Sequence, residues 1–281
     1  MIRIITDSTC EAPPEVLGHP AVTVLPLSVV FGQTALRDGV EITREQFWQR
    51  LPTINPLPTT SQATPADFIG PFRDFTARGD EVIALVLSAK LSGTYSSAIT
   101  ALESQPGWPV DVIDSRTISV GLGLMVQEAV AMVEAGLSRA EIVGRLNAMR
   151  DRVHLIFALE TLEYLQRGGR IGKAQAFMGT LLKFKPLLGI VDGEVVPVTR
   201  VRSRTKALEE LQNWLNQVES ARGAQIRLGV THALVPDDAA AVNQALATRF
   251  GTQSTFIAAL GPVLGVHVGP GAIGAAVYAR Q

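Results

Sequence analysis

Four apolar runs in the first half of the chain have the length and composition of buried strands. They cover residues 2–5, 22–31 with an interruption at Pro26, 82–87 and 110–113. Apolar runs without polar alternation are typical of strands covered on both faces, as in a parallel sheet. Segments with helical periodicity separate the runs, and capping boxes begin at Thr43, Thr64 and Ser138. The alternation predicts an α/β fold that starts with an N-terminal α/β/α layer domain built on a parallel sheet.

The pattern changes near residue 153. Helices are predicted over 161–166, 173–183, 205–219 and 237–250, with strands before, between and after them. Strands over 187–191 and 194–201 are joined at Asp192-Gly193, which is typical of a β-hairpin. A hairpin mixed with helices favours an α+β domain. Because 281 residues exceed the usual size of one core, we predict two domains, residues 1–152 and 153–281.

Composition and charge narrow the function classes. The formal net charge is −1, which gives no electrostatic reason to expect a nucleic-acid partner. The single cysteine, Cys10, fits a reducing compartment, so we expect a cytoplasmic protein. Residues 254–279 carry no Asp, Glu, Lys or Arg, but five glycines and two prolines interrupt them. We interpret this segment as strand, loop and strand of a buried core, and expect no stable membrane insertion.

Two polar segments could hold an anion. The turn Ser92-Gly93-Thr94 follows the run 82–87 and opens a helix, whose free N–H groups and dipole favour negative charge. It lacks the lysine of a Walker motif, which points to a singly charged group. The polar loop 57–64, which includes Thr60 and Ser61, offers more hydroxyls. Taken alone, this loop is better explained by capping and turn chemistry, but neutral donors facing the turn also suit a carboxylate.

His267 lies in an apolar, glycine-rich loop over residues 261–271. A lone histidine in such a setting is often a core residue, but glycines let the backbone approach a ligand closely. An imidazole near a carboxylate is expected to shift toward its charged form and to supply the counter-charge. The other histidines, His19, His154 and His232, lie in unrelated contexts, so we infer no metal site.

Carboxylates and arginines leave further alternatives open. Asp7 and Asp114 each end an apolar strand, where they either cap turns or act in metal-dependent phosphoryl transfer or hydrolysis. Arg200, Arg202 and Arg204 alternate, which puts them on one face of a predicted strand. That face is either solvated or a docking surface for an anionic partner.

Short motifs lie along nearly the whole chain. They are Ile5-Thr6-Asp7-Ser8-Thr9, Asp38-Gly39-Val40, Thr59-Thr60-Ser61-Gln62, Leu91-Ser92-Gly93-Thr94-Tyr95, Ile113-Asp114-Ser115, residues 162–171, Lys185-Pro186 and residues 261–271. In their order and spacing these segments resemble the DegV family of bacterial fatty-acid-binding proteins. One departure is Ala63, which stands where the family often has proline, but Thr60 keeps its place.

The resemblance implies a two-domain α/β protein with one long-chain fatty acid in a tunnel between the domains. It assigns the carboxylate to Thr60 and Ser92 and puts His267 in the same polar network. Ser61, Gly93 and Thr94 are supporting residues. No other cofactor and no metal are implied, and the chain itself is expected to perform no catalysis.

The resemblance also implies a partner, an ATP-dependent fatty acid kinase that converts the presented carboxylate to an acyl phosphate. Candidate docking residues for this partner are Arg170, Lys173 and Arg202. An enzyme that uses Asp7 and Asp114, or a binder of another small carboxylate, remains an alternative.

Overall fold

The computed structural model describes residues 1–178, 184–218 and 225–280. In these residues the strands are β1 (Ile2–Asp7), β2 (Val22–Leu25), β3 (Ser28–Phe31), β4 (Thr34–Arg37), β5 (Thr59–Ser61), β6 (Glu81–Val86), β7 (Val110–Asp114), β8 (His154–Ala158), β9 (Lys185–Val191), β10 (Glu194–Val201), β11 (Gln225–His232), β12 (Thr255–Ala259) and β13 (Ile273–Arg280). The helices are α1 (Pro14–Leu17), α2 (Arg44–Arg50), α3 (Pro65–Thr76), α4 (Thr94–Glu103), α5 (Ser119–Glu134), α6 (Arg139–Met149), α7 (Glu163–Arg167), α8 (Arg204–Val218), α9 (Pro236–Phe250) and α10 (Pro262–Val268). Short 3-10 helices cover Leu51–Thr53 and Gly172–Phe177.

The first sheet is parallel, with the strand order β2–β1–β6–β7. Helices α3 and α4 pack together and against β6, while α5 packs against β1 and α6 against β6 and β7. Because these helices cover both faces of the sheet, its central strands are apolar along most of their length. The predicted N-terminal layer architecture is therefore confirmed. Because parallel strands end at one edge, the turns that follow β1, β6 and β7 meet there.

The second sheet is mixed, with the strand order β10–β9–β8–β13–β11–β12. Ile156 and Ala158 of β8 pack in one core cluster with residues of α8 and α9, whereas Leu155 belongs to the other cluster. Since side chains alternate across a strand, α8 and α9 cover one face of this sheet and α5 approaches the other. Strands β9 and β10 form the predicted hairpin, so the α+β character of the second half is confirmed.

Helix α5 lies between the two sheets and contacts β1 as well as β8, β11 and β13. Twelve of its sixteen residues are buried. Gly123 permits the close approach to the loop after β1, because a Cβ there would lie 1.9 Å from the Glu11 carbonyl oxygen. The buried Glu128 pairs with Arg227 at 3.0 Å and with Arg280 at 3.1 Å. The predicted boundary near residue 153 stays a prediction.

A third, antiparallel sheet with the order β4–β3–β5 departs from the sequence prediction. The apolar run 22–31 divides at Pro26 into β2 and β3, which belong to different sheets. The polar loop 57–64 contains strand β5, in which Thr60 pairs with Val29 of β3. The interpretation of this segment as a loop is therefore wrong for residues 59–61.

The glycine-rich segment around His267 is helix α10, so the predicted strand, loop and strand are strand, helix and strand. Gly265 allows this packing, because a Cβ there would lie 2.4 Å from the ring of Phe47. The first part of the predicted helix 173–183 is the 3-10 helix Gly172–Phe177, and residues 179–183 lie outside the described residues. The predicted helix 205–219 is α8, and its residue 219 also lies outside the described residues. No helix in the described part of the chain is long and apolar enough to cross a membrane.

Candidate functional site

A cavity lies where the strand ends of the first sheet face the second sheet. Its empty space, together with the solvent at its open mouth, amounts to about 900 Å³. Both predicted domains line it, mainly with apolar side chains such as Leu27, Leu87, Leu155, Phe157, Ile190 and Leu264. The polar lining includes the predicted residues Thr60, Ser61, Ser92 and His267. The fold therefore brings residues that are far apart in sequence to one cavity.

Thr60 and His267 form a direct contact in the polar part of the lining. Strand β5 carries Thr60 and the last turn of α10 carries His267, so that Oγ1 and Nε2 lie 2.9 Å apart. The Nδ1 atom of His267 is buried and has no hydrogen-bond partner in the described residues. A hydroxyl has one hydrogen to donate. If Nε2–H donates to Oγ1, the Thr60 hydroxyl keeps its own hydrogen for a ligand.

Burial lowers the pKa of His267 to about 4, and the positive charge of Arg170 contributes in the same direction. The imidazole is therefore neutral at pH 7. The cost of burying the cation is not offset by a carboxylate of the described residues. The sequence expectation concerns an imidazole beside a bound carboxylate, and it stays a prediction.

The turn at Ser92 is tied to strand β5. Ser92 Oγ accepts a hydrogen bond from the Thr94 N–H at 3.2 Å and lies 2.9 Å from the Thr94 hydroxyl oxygen. Gln62, just past β5, accepts from the Gly93 N–H at 3.0 Å. A Cβ at Gly93 would lie 2.3 Å from the Gln62 amide oxygen, so this contact requires glycine. Ser92 is thus fixed at the N-terminus of α4, where the helix dipole favours an anion.

Arg170 also lines the cavity, whereas its charge in the sequence predicts only a docking residue. Its Nε donates to the Leu91 carbonyl at 3.2 Å and its Nη1 donates to the Gly168 carbonyl at 2.8 Å. This position puts a fixed positive charge close to His267. No sequence signal could have found the position, because it depends on the side chain crossing to a turn 79 residues away.

Lys173 and Arg202 lie on the surface. Lys173 Nζ pairs with Glu194 Oε2 at 3.0 Å, beside a polar cleft that shares Ser92 and Arg170 with the cavity lining. The Arg202 guanidinium lies over the Phe184 ring, 5.6 Å from its centroid. A role of Lys173 and Arg202 in docking a partner stays a proposal.

The prediction that Arg200, Arg202 and Arg204 share one strand face is wrong. Strand β10 ends at Val201, and Arg204 is the first residue of α8. Its side chain forms ion pairs with Glu160 at 2.7 Å and with Asp238 at 2.5 Å. Arg204 therefore serves the packing of α8, because the change from strand to helix turns it away from the strand.

Asp7 and Asp114 organise the turns at strand ends. Asp7 is fully buried and accepts hydrogen bonds from the Thr9 N–H at 3.0 Å, the Thr9 hydroxyl at 2.6 Å and the Leu87 N–H at 2.8 Å. Asp114 accepts from two backbone N–H groups at 2.9 and 3.1 Å. The described residues contain no group of three or more His, Cys, Asp or Glu side chains that could hold a metal ion. These contacts favour the capping interpretation over the enzyme alternative.

Sequence reasoning missed a buried carboxylate behind the cavity wall, Glu11, which is 4% exposed. It accepts hydrogen bonds from the hydroxyls of Ser119 and Thr231, and both of these residues line the cavity. Burial raises the pKa of Glu11 to about 7, against the opposing effect of these bonds. A single Glu after Cys10 belongs to no motif, so no sequence signal marks it.

We expect Glu11→Gln to change how stability depends on pH. The pKa of Glu11 is about 7 in the folded chain, against the usual glutamate value of 4.5 that applies in the unfolded chain. The folded chain therefore holds this proton more tightly, and ionisation lowers stability as pH rises from 4.5 to 7. Each unit of difference between the two pKa values is worth about 1.4 kcal/mol, so ionisation of Glu11 should lower the free energy of unfolding by a few kcal/mol. Glutamine does not ionise and therefore avoids this loss. Between pH 5 and 8, the melting temperature of the variant should rise relative to that of the wild type as the pH increases. A difference in melting temperature that does not change with pH would contradict this expectation.

The fold and the cavity define a two-domain α/β protein with a ligand site between the domains. The chain belongs to the DegV family, whose profile, described as uncharacterised DegV proteins, matches residues 1–280. A DegV domain-containing protein of Streptomyces coelicolor is 36% identical over 281 residues, which cover 99% of each chain. Protein DegV of Bacillus subtilis is 32% identical over 274 residues, or 97% of each chain.

Solved structures show the same fold. A DegV family protein from Thermus thermophilus, described as binding fatty acid, is 37% identical, with a TM-score of 0.93 over 99% of both chains. Bacillus subtilis DegV, described as a fatty acid binding protein, is 31% identical, with a TM-score of 0.89 over 99% of both chains. A stearic acid-binding protein from Eubacterium ventriosum is 30% identical, with a TM-score of 0.88 over 99% of this chain and 98% of the other. The family resemblance and the fold class are confirmed.

Proposed function

We propose that this protein binds one long-chain fatty acid in the cavity, with its carboxylate at Thr60 and Ser92. The observation that carries the proposal is the division of one cavity into an apolar part and a polar part that contains hydroxyls and a neutral imidazole. The fatty-acid ligands of the Thermus and Bacillus relatives support it.

The apolar lining supplies most of the binding free energy in this proposal. Burial of an alkyl chain gains about 0.8 kcal/mol per methylene, so a long chain needs few polar contacts for tight binding. A carboxylate removed from water, in contrast, needs hydrogen-bond donors or a positive charge nearby.

The polar lining meets that need in two ways. Thr60 and Ser92 each bring a hydroxyl, and His267 orients the Thr60 hydroxyl through Nε2. Arg170 adds a positive charge without leaving the contacts that hold it. The hydrogen bond from the Gly93 N–H to Gln62 keeps the two walls together. Thr94 contacts Ser92 within the turn, and Ser61 lies in the lining beside Thr60. The hydrogen bonds from the Thr60 and Ser92 hydroxyls to a carboxylate would be charge-assisted, and such bonds are stronger than neutral ones.

We further propose that the bound carboxylate is presented to an ATP-dependent kinase, which makes an acyl phosphate, while this chain performs no catalysis. The polar cleft that shares Ser92 and Arg170 with the cavity supports this, because it opens beside the carboxylate position. Lys173 and Arg202 lie on the surface and are the proposed docking residues. A partner that uses ATP also puts this chain in the cytoplasm.

Solvent extraction and mass spectrometry test the first step. Protein purified from a bacterial host should release long-chain fatty acid in about a one-to-one ratio, because Thr60, Ser92 and His267 lie in the same polar part of the lining and would hold one carboxylate. Extracts of an unrelated protein purified in parallel provide the background. Absence of fatty acid, together with no affinity for added fatty acid, would contradict the proposal.

Reconstitution tests the second step. Loaded protein, ATP and a kinase subunit from the same host should yield acyl phosphate, and each component alone should not. Binding without acyl phosphate would leave the fatty-acid site in place and refute the presentation to a kinase.

A further inference from the structure

Helix α10 carries His267, but residues of the N-terminal domain hold its other end. Glu11 Oε1 accepts a hydrogen bond from the Gly261 N–H at 3.0 Å, and Asp38 Oδ2 accepts from the Val263 N–H at 3.4 Å. The two carboxylates are 4% and 7% exposed. Because α10 has seven residues, or about two turns, a shift at its first residue moves the imidazole as well.

The second oxygen of Glu11 binds two other elements around the cavity. Ser119 Oγ donates to Oε2 at 2.5 Å from the first residue of α5, and Thr231 Oγ1 donates at 2.7 Å from β11. One buried carboxylate thus joins α5, β11 and α10 where the two domains meet.

We propose that Glu11 is a positioning residue, whose carboxylate docks α10 onto the N-terminal domain and so holds His267 against Thr60. The proposal rests on the proposed function, because the Thr60–His267 pair is the head-group site. Its physical basis is that loss of the acceptor leaves the buried Gly261 N–H without a partner, which favours a shift of α10 toward water.

The imidazole of His267 reports the position of α10 without any ligand. Its pKa is about 4 because the ring is buried. In Glu11→Met, which fills a similar volume without an acceptor, the ring should gain solvent and its pKa should rise toward the ordinary 6.5. NMR titration of the delipidated full-length protein measures this, with the resonance assigned through His267→Gln. Fatty-acid affinity should fall about tenfold.

Two variants serve as controls. Glu11→Gln keeps a carbonyl acceptor for the Gly261 N–H, so the low pKa of His267 and the affinity should both be restored. Glu128→Gln is the matched control, because Glu128 is another buried carboxylate that joins α5 to the second sheet but does not contact α10. It should lower the melting temperature and leave the His267 pKa unchanged.

An unchanged His267 pKa in folded Glu11→Met overturns the proposal, and so does an equal shift in Glu128→Gln. If Glu11→Met does not fold, the test passes to Glu11→Asp, whose shorter side chain withdraws the carboxylate from Gly261 and must also raise the pKa. The titration needs no ligand. A wild type that binds no fatty acid would therefore refute the proposed function and still leave the role of Glu11 to be decided.

Discussion

The double variant Thr60→Val/Ser92→Ala should bind fatty acid about a hundredfold more weakly than the wild type, since it loses two hydrogen bonds to a charged group. Valine has nearly the shape of threonine, so Thr60→Val removes only the hydroxyl. That hydroxyl is also the partner of His267 Nε2. Displacement of a fluorescent fatty acid measures the affinity. The apolar cavity is intact in this variant, so an alkane-like probe should bind as before.

The matched control is Thr59→Val/Ser96→Ala. These residues lie on the same two elements, β5 and α4, and are exposed rather than part of the cavity lining. Since neighbouring residues of a strand point to opposite faces, the control removes the same chemistry without reaching the ligand. Equal affinities for the two double variants would place the carboxylate elsewhere.

Gly168→Ala should disrupt the site from behind the imidazole. A Cβ at this position would lie 2.2 Å from His267 Nδ1, although the backbone, with φ of −74°, accepts alanine without strain. The ring must therefore move and release Thr60. We expect about a tenfold loss of fatty-acid affinity, the scale of one hydrogen bond to a charged group.

A second substitution separates this effect from general damage. In the His267→Ala background the added Cβ meets no ring, so Gly168→Ala should cause little further loss of affinity. Gly169→Ala is the comparison, because its Cβ meets nothing within 4 Å but φ is +67°. That variant should lower the melting temperature without the affinity loss. Additive effects of Gly168→Ala and His267→Ala would refute the steric explanation.

The main architecture could be predicted because its central strands are covered on both faces. Such strands need apolar runs, as at residues 82–87, and those runs are visible in the sequence. The third sheet could not be predicted, because β4 and β5 are short and mostly exposed. Strands of this kind have no hydrophobic periodicity, and only their pairing with β3 defines them.

Helix α10 shows the opposite limit. Its sequence, with glycine inside and just outside the helix, favours a loop by propensity. The packing of Gly265 against Phe47, more than two hundred residues away, overrides that preference. The side chains of Arg170 and Glu11 are similar cases, because each acts through contacts that are distant in sequence.

Helix α5 decides how a ligand exchanges with the cavity. Its side chains complete the cores of both sheets, since β1 lies on one side and β8, β11 and β13 lie on the other. Separation of the domains would expose most of the helix, so the chain should unfold in a single cooperative transition. Clamshell opening about a hinge is therefore too costly to admit a fatty acid. The off-rate should instead follow local movement at the polar mouth, which makes it sensitive to substitutions around α10 and insensitive to global stability.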